Sequence, residues 1–154
     1  MHVIVVGGGA AGMMAAIAAA QAGTETGAKV RVTLLEQNEK LGKKLFITGK
    51  GRCNVTNAGD MDNLFANVMT NAKFLYSAFY SFDNRAVMDL LETEGCPLKI
   101  ERGERVFPVS DHSSDVIAAL TRAIKRLQVE VCLHPRVKRL WREELPDEAA
   151  EGRE

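Results

Sequence analysis

Val3-Ile4-Val5-Val6 runs straight into Gly7-Gly8-Gly9 and then into a stretch of small residues from Ala10. No other feature restricts what this chain can fold into as strongly. Taken as one block, Val3 to Ala20 carries no charge. A membrane-crossing helix needs about 20 apolar residues, and the block approaches that length, but the three glycines interrupt it. A secretory leader would suit the small residues Ala18-Ala19-Ala20, yet no Lys or Arg precedes Val3, so the positive segment such a leader needs is missing. Split at the glycines, the block becomes a β-branched parallel strand over 3–6 and a helix over 10–22. The glycine spacing favours the split. Gly7, Gly9 and Gly12 spell G-x-G-x-x-G between a strand and a helix. Gly7 serves the tight turn, Gly9 the close approach of the backbone to a pyrophosphate, and Gly12 the close packing of helix on strand. The N-terminus of the helix offers its free N–H groups and positive dipole end to phosphates. Ala16 and Gly23 continue the small-residue pattern.

The next strand is expected at Val30 to Leu35, followed by Glu36. A carboxylate there accepts hydrogen bonds from ribose hydroxyls and repels a 2′-phosphate, which disfavours NADP at this site. Glu36 lies 24 residues beyond Gly12, against a usual spacing of about 20. A longer polar turn over Thr24 to Lys29, with Gly27, would hold the excess. The fingerprint does not separate FAD from NAD, and a βαβ unit without a ligand stays open as the alternative.

Lys40, Lys43, Lys44, Lys50 and Arg52 fall between residues 40 and 59 with no Asp or Glu among them. The whole chain balances 20 Lys+Arg against 20 Asp+Glu, so the rest is net acidic and the positive charge is concentrated here. Gly42, Gly49, Gly51 and Gly59 let the segment approach a ligand closely. A pyrophosphate suits such a loop; a solvated surface loop normally mixes its charges. Arg52 can pair with phosphate or carboxylate, and Asn54, Thr56 and Asn57 can hydrogen-bond the edge of a heterocycle. Cys53 is a redox thiol or a small packed residue, and packing is the better reading because no cysteine lies nearby.

The string from Leu41 to Asn57, with Ile-Thr-Gly-Lys-Gly-Arg-Cys-Asn-Val-Thr-Asn at its end, resembles a bacterial family of NAD(P)/FAD-dependent oxidoreductases that includes aminoacetone oxidase and BaiN-type flavoproteins. The block from Glu101 to Asp115 and the segment from Asn71 to Asn84 match the same family, so the likeness runs from about Val3 to Leu140. It implies an α/β fold, a Rossmann-like FAD-binding domain with a parallel sheet and a helical and hairpin insertion. FAD is then the tightly held cofactor. The implied cofactor-binding set is Gly7, Gly9, Ala10, Ala11, Gly12, Glu36, Gln37, Lys44, Gly51, Arg52, Cys53, Asn54, Thr56 and Asn57, with the backbone of Val137 meeting the adenine. Lys50 departs from the family, whose members commonly carry a glycine there, and its long side chain could change how the loop lies on the flavin. Members are also considerably longer, which implies that this chain corresponds to the first part of such a protein and lacks the closing C-terminal part.

Elsewhere, Phe74, Leu75, Ala78, Phe79 and Phe82 recur at helical spacing and read as core rather than pocket. Ala86 to Glu94 reads as a short helix stopped by Gly95, and Leu98–Ile100 with Arg105–Phe107 as a hairpin. Arg102, Arg105 and His112 read as surface charge before an anionic subsite, and His112 as a solvated loop residue before an acid or base. Ser113 or Ser114 is expected to cap a helix with Asp115 in its first turn. Val116, Ile117, Leu120, Ile124 and Leu127 would form the buried face of that helix. Val129, Val131 and Leu133 then alternate as a third parallel strand. The expected organisation is a domain over 1–142, with an insertion at about 61–111, and an acidic tail over 143–154.

These readings narrow the function. Zero net charge argues against a general nucleic-acid binder. Cys53, Cys96 and Cys132 show neither C-x-x-C nor zinc spacing, so no metal is expected, and a reducing, cytoplasmic location is the simplest reading. The expectation is an FAD-dependent oxidoreductase acting on a small-molecule substrate or taking hydride from NAD(P)H, with no membrane partner. The alternative is an FAD- or nucleotide-binding fragment without turnover. No side chain stands out as a catalytic base.

Overall fold

The computed structural model describes residues 1–142. The expected acidic tail over 143–154 lies outside the described residues.

The apolar block does split at the glycines. Strand β1 is His2–Val6 and helix α1 is Ala10–Thr26. Among the described residues no helix is long and apolar enough to cross a membrane. Helix α1 runs four residues past its expected end at 22. The hydroxyls of Thr24 and Thr26 donate to the carbonyls of Ala20 and Ala22 at 3.2 and 2.7 Å, which lets two β-branched residues stay in the last turn. Gly27, at φ +67°, stops the helix in the left-handed conformation.

Strand β2, Arg31–Glu36, pairs in parallel with β1, Ile4 opposite Thr33 and Val6 opposite Leu35. The helices α2 (Lys43–Ile47), α3 (Met61–Ala66), α4 (Tyr76–Ser81) and α5 (Asn84–Thr93) follow, with the short strand β3 (Thr56–Asn57) between α2 and α3. The carboxylates of Asp60 and Asp83 cap α3 and α5 by accepting the N–H groups of Asn63 and Ala86. Gly95 ends the turn after α5 at φ +75°. The expected hairpin is β4 (Leu98–Glu101) and β5 (Arg105–Pro108). It takes in β3 to make an antiparallel sheet ordered β3-β5-β4, so the excursion between the parallel strands begins before Met61. Helix α6 (Ser113–Arg126) leads to β6 (Glu130–Leu133), which pairs in parallel with β2 and completes the order β1-β2-β6.

Met13, Ala16 and Ile17 of α1 and Val116, Ala119, Leu120, Ala123 and Ile124 of α6 bury against Val32 and Leu34 of β2. Both helices therefore cover one face of the parallel sheet. Across the opposite face, Ile4 and Val6 remain 57% and 55% exposed.

Two expectations need correction. The aromatic stripe is not core: Phe74 is 78% exposed, and Phe82 and Ala78 are exposed as well. The segment breaks into a 3-10 turn over Ala72–Leu75 and the six-residue α4, neither of which has a buried residue. Its rings instead gather around Phe65, edge-on to Tyr76 at 4.5 Å and tilted against Phe79 at 5.3 Å. Neither serine caps α6. His112 holds the cap position without a side-chain bond, and the Ser113 hydroxyl donates instead to the carbonyl of Phe46 at 2.9 Å. Ser113 is buried, so its hydroxyl joins α6 to the end of α2.

Candidate functional site

The turn after β1 is built on backbone. Gly7 takes φ +103°, and its N–H reaches the Leu35 carbonyl at 2.8 Å. A Cβ on Gly12 would stand 1.7 Å from the Gly7 carbonyl oxygen, which is the close helix-on-strand packing its place in the motif calls for. A Cβ on Gly9 would meet nothing within 4 Å, so open space lies against that stretch of backbone. Gly9 precedes α1, and the first turn, with Ala10, Ala11 and Gly12, carries no acidic residue. Its N–H groups lack helical partners, as at the start of any helix.

Glu36 closes the turn from the side. It is only 7% exposed. Its Oε2 accepts the Gly8 N–H at 2.6 Å, and its Oε1 accepts both the backbone N–H and the side-chain amide of Asn38 at 2.7 and 2.6 Å. Burial pushes this carboxyl up. The N–H groups of Asn38, Gly8 and Gln37 and the Asn38 amide more than offset that, so it lies below the usual carboxylate value. It is therefore a buried, ionised acceptor. Gly42 donates to the Gly8 carbonyl at 2.8 Å and ties the start of the basic loop to the same turn.

A cavity of about 390 Å³ opens here, lined by Gly7, Gly9, Glu36, Gln37, Lys44 and Val137 together with Val6, Leu35, Asn38, Lys43, Pro135 and Arg136. Six of the sequence-derived residues thus come together, with Ala10, Ala11 and Gly12 on the adjoining helical turn. Asn38 and Arg136 escape the sequence reading, and Lys43 enters it only as one of the basic-loop cations. Each is a near neighbour of a chosen residue, but only the fold shows that Arg136, 100 residues from Glu36 along the chain, meets the same space.

The other half of the sequence-derived set lies elsewhere. Gly51, Arg52, Cys53, Asn54, Thr56 and Asn57 do not line this cavity; they pack on the hairpin. Arg52 donates from Nε to Asp111 at 2.8 Å, pairs with Glu101, and places its guanidinium 4.1 Å from the centre of the Phe107 ring. Lys99 completes the cluster with a 2.7 Å bond to Asp111. The Asn57 amide donates to the Gly103 carbonyl at 2.9 Å, and the Asn54 amide nitrogen donates to the carbonyls of Val106 and Thr56 at 3.2 and 3.1 Å. Thr56 and Asn57 form β3 against Val106 and Arg105. These polar side chains are engaged in holding the loop in place. Cys53 is 2% exposed, and burial pushes its thiol up, as befits a packed residue. Arg105 donates to the Arg102 carbonyl at 3.0 Å, and His112 is an exposed residue before α6.

Comparison with known proteins places these features in a family. The family model described as HI0933-like protein Rossmann domain matches residues 1–149. The chain is 32% identical over 136 residues to the 3-dehydro-bile acid delta(4,6)-reductase of Clostridium scindens, a match that covers 88% of this chain and 32% of that protein. It is 35% identical over 92 residues to the ribosomal RNA dihydrouridine synthase of Escherichia coli, covering 60% of this chain and 21% of that one. Among solved structures, Thermovibrio ammonificans THI4 superposes with a TM-score of 0.54 at 12% identity, over 86% of this chain and 37% of the other, and shares the fold. The chain spans about a third or less of the length of the curated relatives it matches.

Proposed function

The chain belongs to the HI0933-like family through its Rossmann domain, and on that premise we propose that it is the nucleotide-binding part of an FAD-dependent oxidoreductase. One observation carries the reading: the Gly7–Gly9 turn, the buried carboxylate of Glu36 and the cations Lys43, Lys44 and Arg136 converge on one cavity, beside the start of α1. The ADP half of FAD offers a pyrophosphate, a ribose diol and an adenine, and the donor set fits them. The open space at Gly9 and the N–H groups of Ala10, Ala11 and Gly12 would receive the pyrophosphate, with Lys44 neutralising its charge. Glu36 would accept the ribose hydroxyls with Gln37 beside it, and the Val137 backbone would meet the adenine.

Bound FAD supplies two-electron redox chemistry. The chain's part is to bind, orient and exclude water. In this reading the loop carrying Gly51, Arg52, Cys53, Asn54, Thr56 and Asn57 serves the flavin end through its backbone, because its polar side chains are engaged with the hairpin. A small-molecule substrate and NAD(P)H are the proposed exchange partners, and a reducing cytoplasm, in keeping with three free cysteines, is the proposed location.

A second reading, nucleotide binding without turnover by this chain alone, is favoured by the bare face of the parallel sheet at Ile4 and Val6. One preparation separates the two. The purified chain should show flavin absorption at near-stoichiometric occupancy, and NADH, NADPH or a small substrate should bleach it under anaerobic conditions. Occupancy without bleaching by any of these would favour the second reading. A folded, colourless chain that takes up no added FAD would refute the first, and one that binds no ADP either would refute both.

A further inference from the structure

Glu36 is a buried charged group held by three hydrogen bonds, and the residue doing most of the holding is one that the proposed function does not use. Asn38 gives Glu36 Oε1 two hydrogen bonds, from its backbone N–H and from its side-chain amide, at 2.7 and 2.6 Å. The amide is itself oriented, because its Oδ1 accepts Lys43 Nζ at 3.0 Å. With oxygen toward the cation, the amide nitrogen must face the carboxylate. A carboxylate offers about four acceptor sites. Asn38 fills two on Oε1 and Gly8 one on Oε2, the Gln37 N–H also favours the charged form, and the terminal torsion of a Glu side chain is otherwise broad. The carboxylate is thus pinned in one plane, with Asn38 holding Oε1 from two sides. Asn38 and Lys43 both line the cavity with Glu36.

We propose that Asn38, braced by Lys43, is a positioning residue that fixes the plane of the Glu36 carboxylate and so sets the preference of the site for a ribose with its 2′-hydroxyl intact. The ribose part of this rests on the reading of the cavity as an FAD site; the positioning of Glu36 does not. The other charged groups around the carboxylate are Lys43, Lys44 and Arg136, and Glu39, which lies 3.8 Å from Lys43.

Two measurements test it on the purified chain. In the absence of ligand, the Glu36 carboxyl is followed by carbon-detected NMR during an acid titration. Asn38→Ala should move its midpoint up toward the ordinary carboxylate value, and Asn38→Asp further up, because a like charge then faces Oε1. Lys43→Met should produce a smaller shift of the same sign. In the second, ADP and 2′-deoxy-ADP are titrated calorimetrically into wild type and Asn38→Ala. Wild type should prefer ADP, and the variant should bind ADP about tenfold more weakly and lose most of that preference. A merely structural weakening would lower both affinities alike and leave the ratio intact, which would overturn the ribose role. An unmoved Glu36 midpoint in both Asn38 variants would overturn the positioning role. Should Asn38→Ala fail to fold, Asn38→Ser is read in the same two assays. A wild type that binds neither ADP nor FAD would refute the proposed function, while the NMR titration would still decide whether Asn38 positions Glu36.

Discussion

Gly9 and Gly12 sit three residues apart in one motif and meet opposite surroundings. A methyl group on Gly12 would fall 1.7 Å from the Gly7 carbonyl oxygen, within the space shared by α1 and β1, whereas one on Gly9 would meet nothing within 4 Å, at a backbone φ of −79° that any residue adopts. Gly12→Ala should therefore cost about 3 kcal/mol or more, a fall of roughly 6–12 °C in melting temperature for a chain of this size. Gly9→Ala should melt within about 2 °C of wild type yet lose most of its affinity for FAD, since its methyl enters the proposed phosphate space. Thermal melts and flavin titrations of the two variants separate packing from binding within a single fingerprint. The close packing at Gly12 was legible in the sequence because it follows from the offset of that glycine to the strand and the helix; the binding role of Gly9 is a proposal that the titration decides. Glu36 was legible as an acceptor, but the bonds that commit it to its own chain were not. They depend on a side-chain rotamer and on Asn38, whose spacing from Glu36 carries no periodic signal. The carboxyl of Glu36 lies below its usual value in the folded chain. Its contribution to stability is thus complete above the unfolded value of about 4.3 and is lost as pH falls through the lower native value. Glu36→Gln should be the less stable protein at pH 7, and its deficit against wild type, measured by urea unfolding, should shrink as pH falls from about 5 toward about 3.

Elements were readable where a local rule decides them and unreadable where coverage by another element decides them. The β1-turn-α1 unit, the hairpin, the Gly95 stop and the buried face of α6 follow from spacing and turn chemistry. The aromatic segment over 74–82 has helical spacing too, but spacing states only which side chains share a face. Nothing in it says that α4 is six residues long with none of them buried. The cap of α6 fails for a related reason, since Ser113 bonds to Phe46, a partner 67 positions away. The basic loop shows what the sequence could flag without explaining. Lys50, where the resembling family commonly has glycine, takes φ +58° between Gly49 at +56° and Gly51 at +86°. A left-handed conformation costs an L-residue about 1–2 kcal/mol, and glycine avoids this at an entropic cost of about 0.5–1 kcal/mol. Lys50 is exposed, so little packing is lost with it. Lys50→Gly should accordingly raise the melting temperature by roughly 1–4 °C, as read by calorimetry. A fall would mean that the lysine makes a contact outweighing its backbone strain.

For the molecule as a whole, the governing fact is that, among the described residues, the parallel sheet has helices on one face only. Parallel sheets are normally covered on both faces, and a β-branched run such as Val3 to Val6 reads as buried, whereas Ile4 and Val6 are exposed. Among the described residues the outer edge of β1 has no strand beside it either. The bonds from Arg31 N–H to the Met1 carbonyl and from Gly7 N–H to the Leu35 carbonyl bracket its ladder with β2. In a parallel ladder alternate residues face one neighbour, so Val3, Val5 and Gly7 donate toward β2 while Ile4 and Val6 point their N–H groups outward. Hydrogen exchange should therefore split β1 by parity. The amides of Val3, Val5 and Gly7 should be protected close to the global stability, and those of Ile4 and Val6 should exchange at least about a hundredfold faster, as amides without an intramolecular partner do. The comparison is made at several protein concentrations. An open apolar edge is a template for pairing with another strand, so slow exchange at Ile4 and Val6 that appears only as concentration rises would identify a second copy of the chain on that edge. Protection at every concentration would overturn the open edge, because those N–H groups would then have a partner within the chain that is not among the described strands.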